Sequence, residues 1–300
     1  MYKRHFGLND KPFNLIPDPD YLYLSQKHKI GLSLLEYGLT ETAAGLTVVT
    51  GDVGAGKTTL IRKLMRRIDY NELVVGLINN TGPFKEDLLS WVATAYNLEH
   101  EGKDKISIYK DLQKFLITQY AQGRRTVLII DEAQNLAGNA LEELRMLTNI
   151  NADRDQLLQI ILVGQPQLLE VFKDPDLAQI AQRVSVEYHL TPLDLEDTHH
   201  YIHHRTEVAG SQSKIFKDEA IDAMFYFSGG VPRLINTLAD YSLVHGYALD
   251  AQEVDLDIVI EVAKGRKIGG VNRFVKADAI EGVRQKILSA TGKDLAKLME

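Results

Sequence analysis

The stretch LTVVTGDVGAGKTTL, residues 46–60, joins a short apolar run to a glycine-rich turn and then to the start of a helical pattern. The run LTVVT (46–50) reads as a buried strand. Gly51, Gly56, Lys57 and Thr58 then fit the spacing G-x-x-x-x-G-K-[ST]. A loop of this kind points its backbone N–H groups at a polyphosphate, and its glycines permit the close approach and unusual dihedrals this needs. The helix starting near Lys57 adds the positive end of its dipole. Gly51, Asp52, Val53, Gly54, Ala55, Gly56, Lys57, Thr58 and Thr59 are therefore expected to cradle the phosphates of ATP. Lys57 should reach the β- and γ-phosphates, and Thr58 should ligate Mg2+.

Four more runs resemble the first: LVVGLIN (73–79), TVLIID (126–131), LQIILVG (158–164) and VSVEYHL (184–190). Three of the five are almost continuously apolar, as strands covered on both faces of a parallel sheet must be. The segments between them are long enough to hold crossover helices, so the chain reads as a three-layer α/β domain. In QGRRTVLIIDEAQNL (122–136) two adjacent acids, Asp131 and Glu132, end such a strand. A carboxylate beside that much apolar surface is costly unless something compensates it. A neighbouring phosphate loop supplies the reason: Asp131 would face the Mg2+ shell, and Glu132 would act as general base on the attacking water. Gln165 ends the fourth strand, in ILVGQPQLL, where a side chain can orient that water or touch the γ-phosphate.

After Thr191-Pro192 the strands stop and helical patterns take over, with Asp194 as an N-cap and Gly210 as a stop. The division expected is an N-terminal segment and first helix packing on the ATPase core (1–45), a P-loop α/β domain (46–191), a helical lid (192–265), and a basic linker with a C-terminal helix (266–300). Two arginines have candidate roles. Arg183 lies just before the fifth strand, at the sheet's edge, and would more naturally serve a neighbouring subunit. Arg233 follows Gly-Gly and a proline suited to a helix start, where it can reach back to the γ-phosphate.

The chain has 300 residues, 45% of them hydrophobic, and no cysteine. A disulfide framework and a thiolate-ligated metal site are therefore excluded. No signal-peptide pattern or membrane-length apolar run occurs, so a cytoplasmic location is expected, with peripheral attachment to the inner membrane as a variant. The net charge of −7 is uneven: residues 264–300 carry nine Lys/Arg against four Asp/Glu, leaving an acidic body at −12. His199, His200, His203 and His204 form two i, i+4 pairs on one helical pattern. Of the acids nearby only Glu196 and Asp197 could complete a set, so the cluster reads as a solvated helix face and no zinc is expected.

These residues, in this order, resemble the AAA+ superfamily, and within it the ExeA/GspA-like ATPases, closest to the branch associated with exosortase and exopolysaccharide loci. The resemblance covers about 6–265. It rests on HFGLNDKPFNLIPDPDYLYLS, GDVGAGKTTLIRKL, VLIIDEAQNL, LEELRMLTNI, ILVGQPQL and GGVPRLIN. It implies an AAA+ P-loop three-layer sandwich with sheet order 5-1-4-3-2, a small α-helical lid, and a homo-oligomeric ring or filament, hexamer-like, with nucleotide between subunits. Arg183 then matches the arginine finger, Gln165 the sensor-1 position and Arg233 the sensor-2 arginine. Longer members continue into a membrane span and a peptidoglycan-binding domain. This sequence ends in a short basic tail, so wall binding is not expected, and an envelope role would run through a cytoplasmic or membrane-associated protein partner.

ATP hydrolysis that drives or regulates a cell-envelope secretion or exopolysaccharide system is the leading expectation. A DNA-binding transposition regulator of the TnsC/TniB type is the alternative, since the basic tail suits duplex DNA. A nucleotide-gated switch that hardly hydrolyses is the third. The tail pattern puts Ile280, Val283, Ile287 and Leu288 on one helix face, suited to an anionic membrane surface or to packing on protein.

Overall fold

The structure is a computed structural model that describes residues 1–16, 18–40, 45–79, 87–136, 139–152, 155–174, 177–266 and 277–298. Residues 267–270, which hold most of the expected linker, lie outside the described residues. The chain divides into two compact units, one made of Gln26–Val53 and Leu60–Leu190, the other of Met1–Ser25, Gly54–Thr59 and Thr191–Glu300.

The first unit is built on five strands: β1 (Leu46–Gly51), β2 (Leu73–Asn79), β3 (Arg125–Asp131), β4 (Leu158–Gly164) and β5 (Val184–Leu190). All five are parallel, in the order β2-β3-β4-β1-β5. Read from the other edge this is 5-1-4-3-2, as the resemblance implied. Every residue of β1 and β4 is buried. Their unbroken apolar runs are the consequence, because side chains alternate between faces and both faces are covered. The outer strands β2 and β5 mix buried positions with partly or fully exposed ones.

Helices α1 (Gln26–Thr40), α2 (Lys57–Met65), α3 (Leu88–Ala95), α4 (Lys105–Ala121), α5 (Asn139–Leu147), α6 (Gln167–Val171) and α7 (Ala178–Ala181) run between or before the strands. α1 lies on β5 and β1, where the Tyr188 hydroxyl donates to the Lys27 carbonyl at 2.6 Å. Tyr96, just past α3, donates its buried hydroxyl to the Val127 carbonyl of β3 at 2.8 Å. Burial pushes this phenol far above its ordinary value, so it stays a donor. The buried Glu143 of α5 accepts the Leu89 N–H at 2.9 Å and the Lys105 ammonium at 2.5 Å, tying together the first turns of α3 and α4.

The second unit contains α8 (Leu195–Val208), α9 (Asp218–Ser228), α10 (Pro232–Ala248), α11 (Leu256–Gly265), α12 (Ala277–Thr291) and α13 (Leu295–Leu298). Asp194 caps α8 as the sequence suggests, its carboxylate accepting the Asp197 N–H at 2.8 Å. The expectation for 1–45 treated it as one segment on the ATPase core, but Met1–Ser25 groups with the helices instead. The cause is aromatic: Tyr2, Phe6, Phe13 and Tyr21 are buried in the helical core. The buried Arg205 of α8 secures the segment. Its Nε donates to the Pro12 carbonyl at 2.5 Å, and its guanidinium lies 5.0 Å from the Tyr21 ring centre.

Gly230, in the turn before α10, has φ +74, and a Cβ there would sit 1.9 Å from the Leu193 carbonyl oxygen. Gly230→Ala should destabilise the protein by more than about 1 kcal/mol, because neither the dihedral nor the space admits a side chain. Gly282 of α12 has nothing within 4 Å of its added Cβ. Gly282→Ala should stabilise by about 0.5–1 kcal/mol through helix propensity. Urea unfolding of the two variants is expected to move in opposite directions.

Candidate nucleotide site

β1 delivers its chain end to the glycine loop. A Cβ on Gly51 would come within 2.6 Å of the Leu190 carbonyl oxygen, so the close approach of β1 to the end of β5 requires glycine. Gly54 and Gly56 have φ +83 and +102, conformations that residues with a Cβ rarely adopt. The Gly54 carbonyl accepts the Arg233 N–H at 3.3 Å, and a Cβ on Gly54 would meet the Arg233 Cβ at 2.6 Å. The first turn of α10 therefore lies directly on the loop, with Pro232 at a position whose N–H a helix does not need. Lys57 begins α2 and is buried, as is Ala55; Asp52, Thr58 and Thr59 are half-buried, and Val53 is exposed. The N–H groups of that first turn have no intrahelical acceptors, which makes the loop and helix start a suitable cradle for an anion.

β3 brings the paired acids to the same carboxyl edge of the sheet that carries Gly51. Asp131 is buried, and its Oδ1 accepts the Glu132 N–H at 2.9 Å. Glu132 leaves the strand with φ 57 and ψ 36, a left-handed turn that opens the short 3-10 helix Ala133–Asn135. This turn breaks the alternation that would otherwise send neighbouring side chains to opposite faces. The Glu132 carboxylate is then held from two sides, by Gln134 Nε2 at 2.7 Å and Gln165 Nε2 at 3.4 Å. Gln134 Oε1 in turn accepts the Gln165 N–H at 2.9 Å, joining the end of β3 to the end of β4. Gln134 lies outside the site residues that the sequence motifs mark. The available signal was an amide side chain two residues beyond the candidate base.

Arg183 lies at the other edge. It precedes the first residue of β5, so it is at the amino edge of a parallel sheet whose carboxyl edge holds Gly51, Asp131, Glu132 and Gln165. Its guanidinium donates to the Thr148 carbonyl and to Asn149 Oδ1, at the end of the LEELRMLTNI stretch.

Comparison with known proteins follows the same lines. A family model described as an AAA domain matches residues 40–172. General secretion pathway protein A of Aeromonas hydrophila is 38% identical over 255 residues, which is 85% of this chain and 46% of that protein. The chain is a member of the AAA+ family, related to general secretion pathway protein A. It spans about half the length of that relative. Among solved structures, this AAA+ chain resembles the Aeropyrum pernix ORC2 protein in its ADPNP-ADP complexes, with a TM-score of 0.66 at 14% identity, covering 95% of this chain and 85% of that one. Cdc6p from Pyrobaculum aerophilum gives a TM-score of 0.64 at 14% identity, over 97% and 88% of the two chains. The Aeropyrum pernix ORC1 protein in complex with DNA gives 0.62 at 17% identity, over 96% and 85%. At these identities the likeness is one of fold.

Two further expectations concern the helical part of this AAA+ chain. In the basic tail, Val283, Ile287 and Leu295 are buried in the helical core, with Ile280 packed against it. The apolar face of α12 is thus used internally. Three cations of the tail are also engaged: Arg284 with Asp294 at 2.7 Å, Lys286 with Asp222 at 2.7 Å, and Lys293 with Asp257. The Arg284 guanidinium holds the Asp294 carboxyl down to about 2. These three of the nine cations of residues 264–300 thus meet acids of the same unit. The histidine helix differs from its reading as a solvated face. His199 and His203 are half-buried and face Asp218 of α9, an acid that sequence neighbourhood did not offer. No helix of the described residues is long and apolar enough to cross a membrane.

Proposed function

We propose that the chain is an ATP hydrolase that works as a homo-oligomer, with nucleotide completed by a neighbouring subunit. The observation that carries this reading is the oriented carboxylate of Glu132, held by Gln134 and Gln165 on the sheet edge that also carries Gly51. In this reading the loop Gly51, Asp52, Val53, Gly54, Ala55, Gly56, Lys57, Thr58 and Thr59 holds the phosphates. Lys57 neutralises the β- and γ-phosphate charge and Arg233, seated on the loop at Gly54, adds a second cation. Thr58 and Asp131 supply hard oxygen donors of the kind Mg2+ takes. The ion would stabilise charge on the β- and γ-phosphoryl oxygens. Glu132 takes a proton from water as the water oxygen attacks the γ-phosphorus. The bond to the β-γ bridging oxygen breaks and its electron pair leaves with ADP. Gln165 orients the water, and Arg183 of the next subunit meets the developing charge.

The work so powered is assembly or regulation of a cell-envelope secretion or exopolysaccharide system, through an envelope or membrane-associated protein partner. Support for that process is the relationship to general secretion pathway protein A. The internal pairing of Arg284, Lys286 and Lys293 counts against duplex DNA as the tail's ligand.

The test measures phosphate release from ATP with Mg2+ and, in parallel, duplex DNA binding by fluorescence anisotropy at near-physiological salt. Steady turnover abolished by Lys57→Ala, with weak DNA binding, is expected. Nucleotide binding without turnover in the wild-type protein would favour the gated switch. Tight, ATP-dependent DNA binding by the Glu132→Gln protein, falling steeply with salt, would overturn the envelope reading.

A further inference from the structure

Two imidazoles and a carboxylate converge on the helical unit. His199 and His203 stand one turn apart on α8, and Asp218 begins α9. One ligand atom from each lies within 4.8 Å of the other two. His199 Nδ1 is 3.7 Å from Asp218 Oδ1. Tetrahedral zinc with bonds of about 2.0–2.2 Å spaces its ligand atoms by about 3.3–3.6 Å, so small side-chain rotations close the set.

The other nitrogen of His199 is already fixed. Nε2 lies 2.8 Å from Asp222 Oδ1, and Asp222, almost wholly buried, is held in turn by Lys286 of α12 at 2.7 Å. An ionised carboxylate only accepts hydrogen bonds, so in the neutral ring Nε2 carries the hydrogen and Nδ1 is left to offer its lone pair to a metal. A carboxylate behind the far nitrogen is what orients metal-bound histidines generally, fixing the tautomer and raising ligand basicity. A helix face of merely solvated histidines has no need of a buried acid behind one ring.

We propose that His199, His203 and Asp218 bind one divalent transition-metal ion, of which zinc is the type, with a fourth position open to water. Two imidazoles and one carboxylate form a donor set suited to that class and too poor in oxygen for Ca2+ or Mg2+. The ion would staple α8 to α9 and, through Asp222 and Lys286, stiffen the seat of α12. The chain's lack of cysteine leaves no thiolate to compete for it. Lys214 is the competitor: its ammonium lies 2.8 Å from Asp218 Oδ1, and its side chain is half exposed and free to swing away.

The experiment titrates the tag-free full chain with Zn2+ against a chromophoric chelator and with Co2+ as a spectroscopic probe. One Zn2+ per chain and tetrahedral Co2+ bands are expected. His203→Ala and Asp218→Asn should remove both signals, and Asp222→Asn should weaken binding by about 10–100-fold. Lys214→Gln should tighten it, and His200→Ala, on the same helix but outside the set, should leave it unchanged. Far-ultraviolet circular dichroism is read on every variant, so that lost binding is scored only on folded protein. Absence of stoichiometric binding overturns the proposal. So does binding that survives His203→Ala and Asp218→Asn at the wild-type affinity.

Discussion

Arg183→Ala is expected to lower ATP turnover by about 10³–10⁵ while leaving nucleotide binding in place, the range an arginine supplied across a subunit boundary contributes. The geometry argues for that boundary. Arg183 enters β5 at the amino edge of the sheet, whereas Glu132 and Gln165 stand at the carboxyl edge. Seven residues of strand at about 3.3 Å each put roughly 20 Å between the two edges, beyond the reach of a guanidinium. The side chain is not idle in the single chain, since Thr148 and Asn149 hold it in place. Mixing the Arg183→Ala and Glu132→Gln proteins tests the arrangement, because each fails on a different side of a shared site. Subunit-exchanging mixtures should regain part of the phosphate release. A mixture that stays inactive would mean that one chain completes its own site.

Glu132→Gln should cost about 10²–10⁴ in turnover, the usual contribution of a positioned general base. The variant isolates basicity from shape. A glutamine carbonyl oxygen can still accept from Gln134 Nε2 and Gln165 Nε2, which hold the native carboxylate at 2.7 and 3.4 Å. ATP affinity should survive, since the phosphates rest on Lys57 and the loop amides. Hydrolysis by Glu132→Gln at the wild-type rate would assign the base elsewhere.

The strands were readable because burial on both faces leaves a one-dimensional trace: β1, β3 and β4 are runs of apolar residues that a solvated segment would not keep. The loop and the paired acids were readable for a related reason, since their chemistry is written in contiguous residues. Gln134 was not, because its role depends on the left-handed turn at Glu132, which brings a residue two positions on back to the carboxylate. The place of Met1–Ser25 was hidden as well. Four aromatic residues show that a segment must be buried, yet not against which core. Asp218 escaped the histidine reading because it lies fifteen positions beyond His203, and only the packing of α8 against α9 brings them together.

The placement of Arg183 and Glu132 on opposite edges of one sheet has a consequence for symmetry. A contact that sets the amino edge of one protomer against the carboxyl edge of another is heterologous, and no two-fold axis can relate its halves. Such an assembly has a head and a tail. Closed, it serves every site alike; open, it always leaves one arginine without a nucleotide and one nucleotide without an arginine. Specific activity in an open assembly therefore climbs gradually as the chain of protomers lengthens. In a closed one every site is complete, and specific activity reaches its ceiling when the last protomer enters.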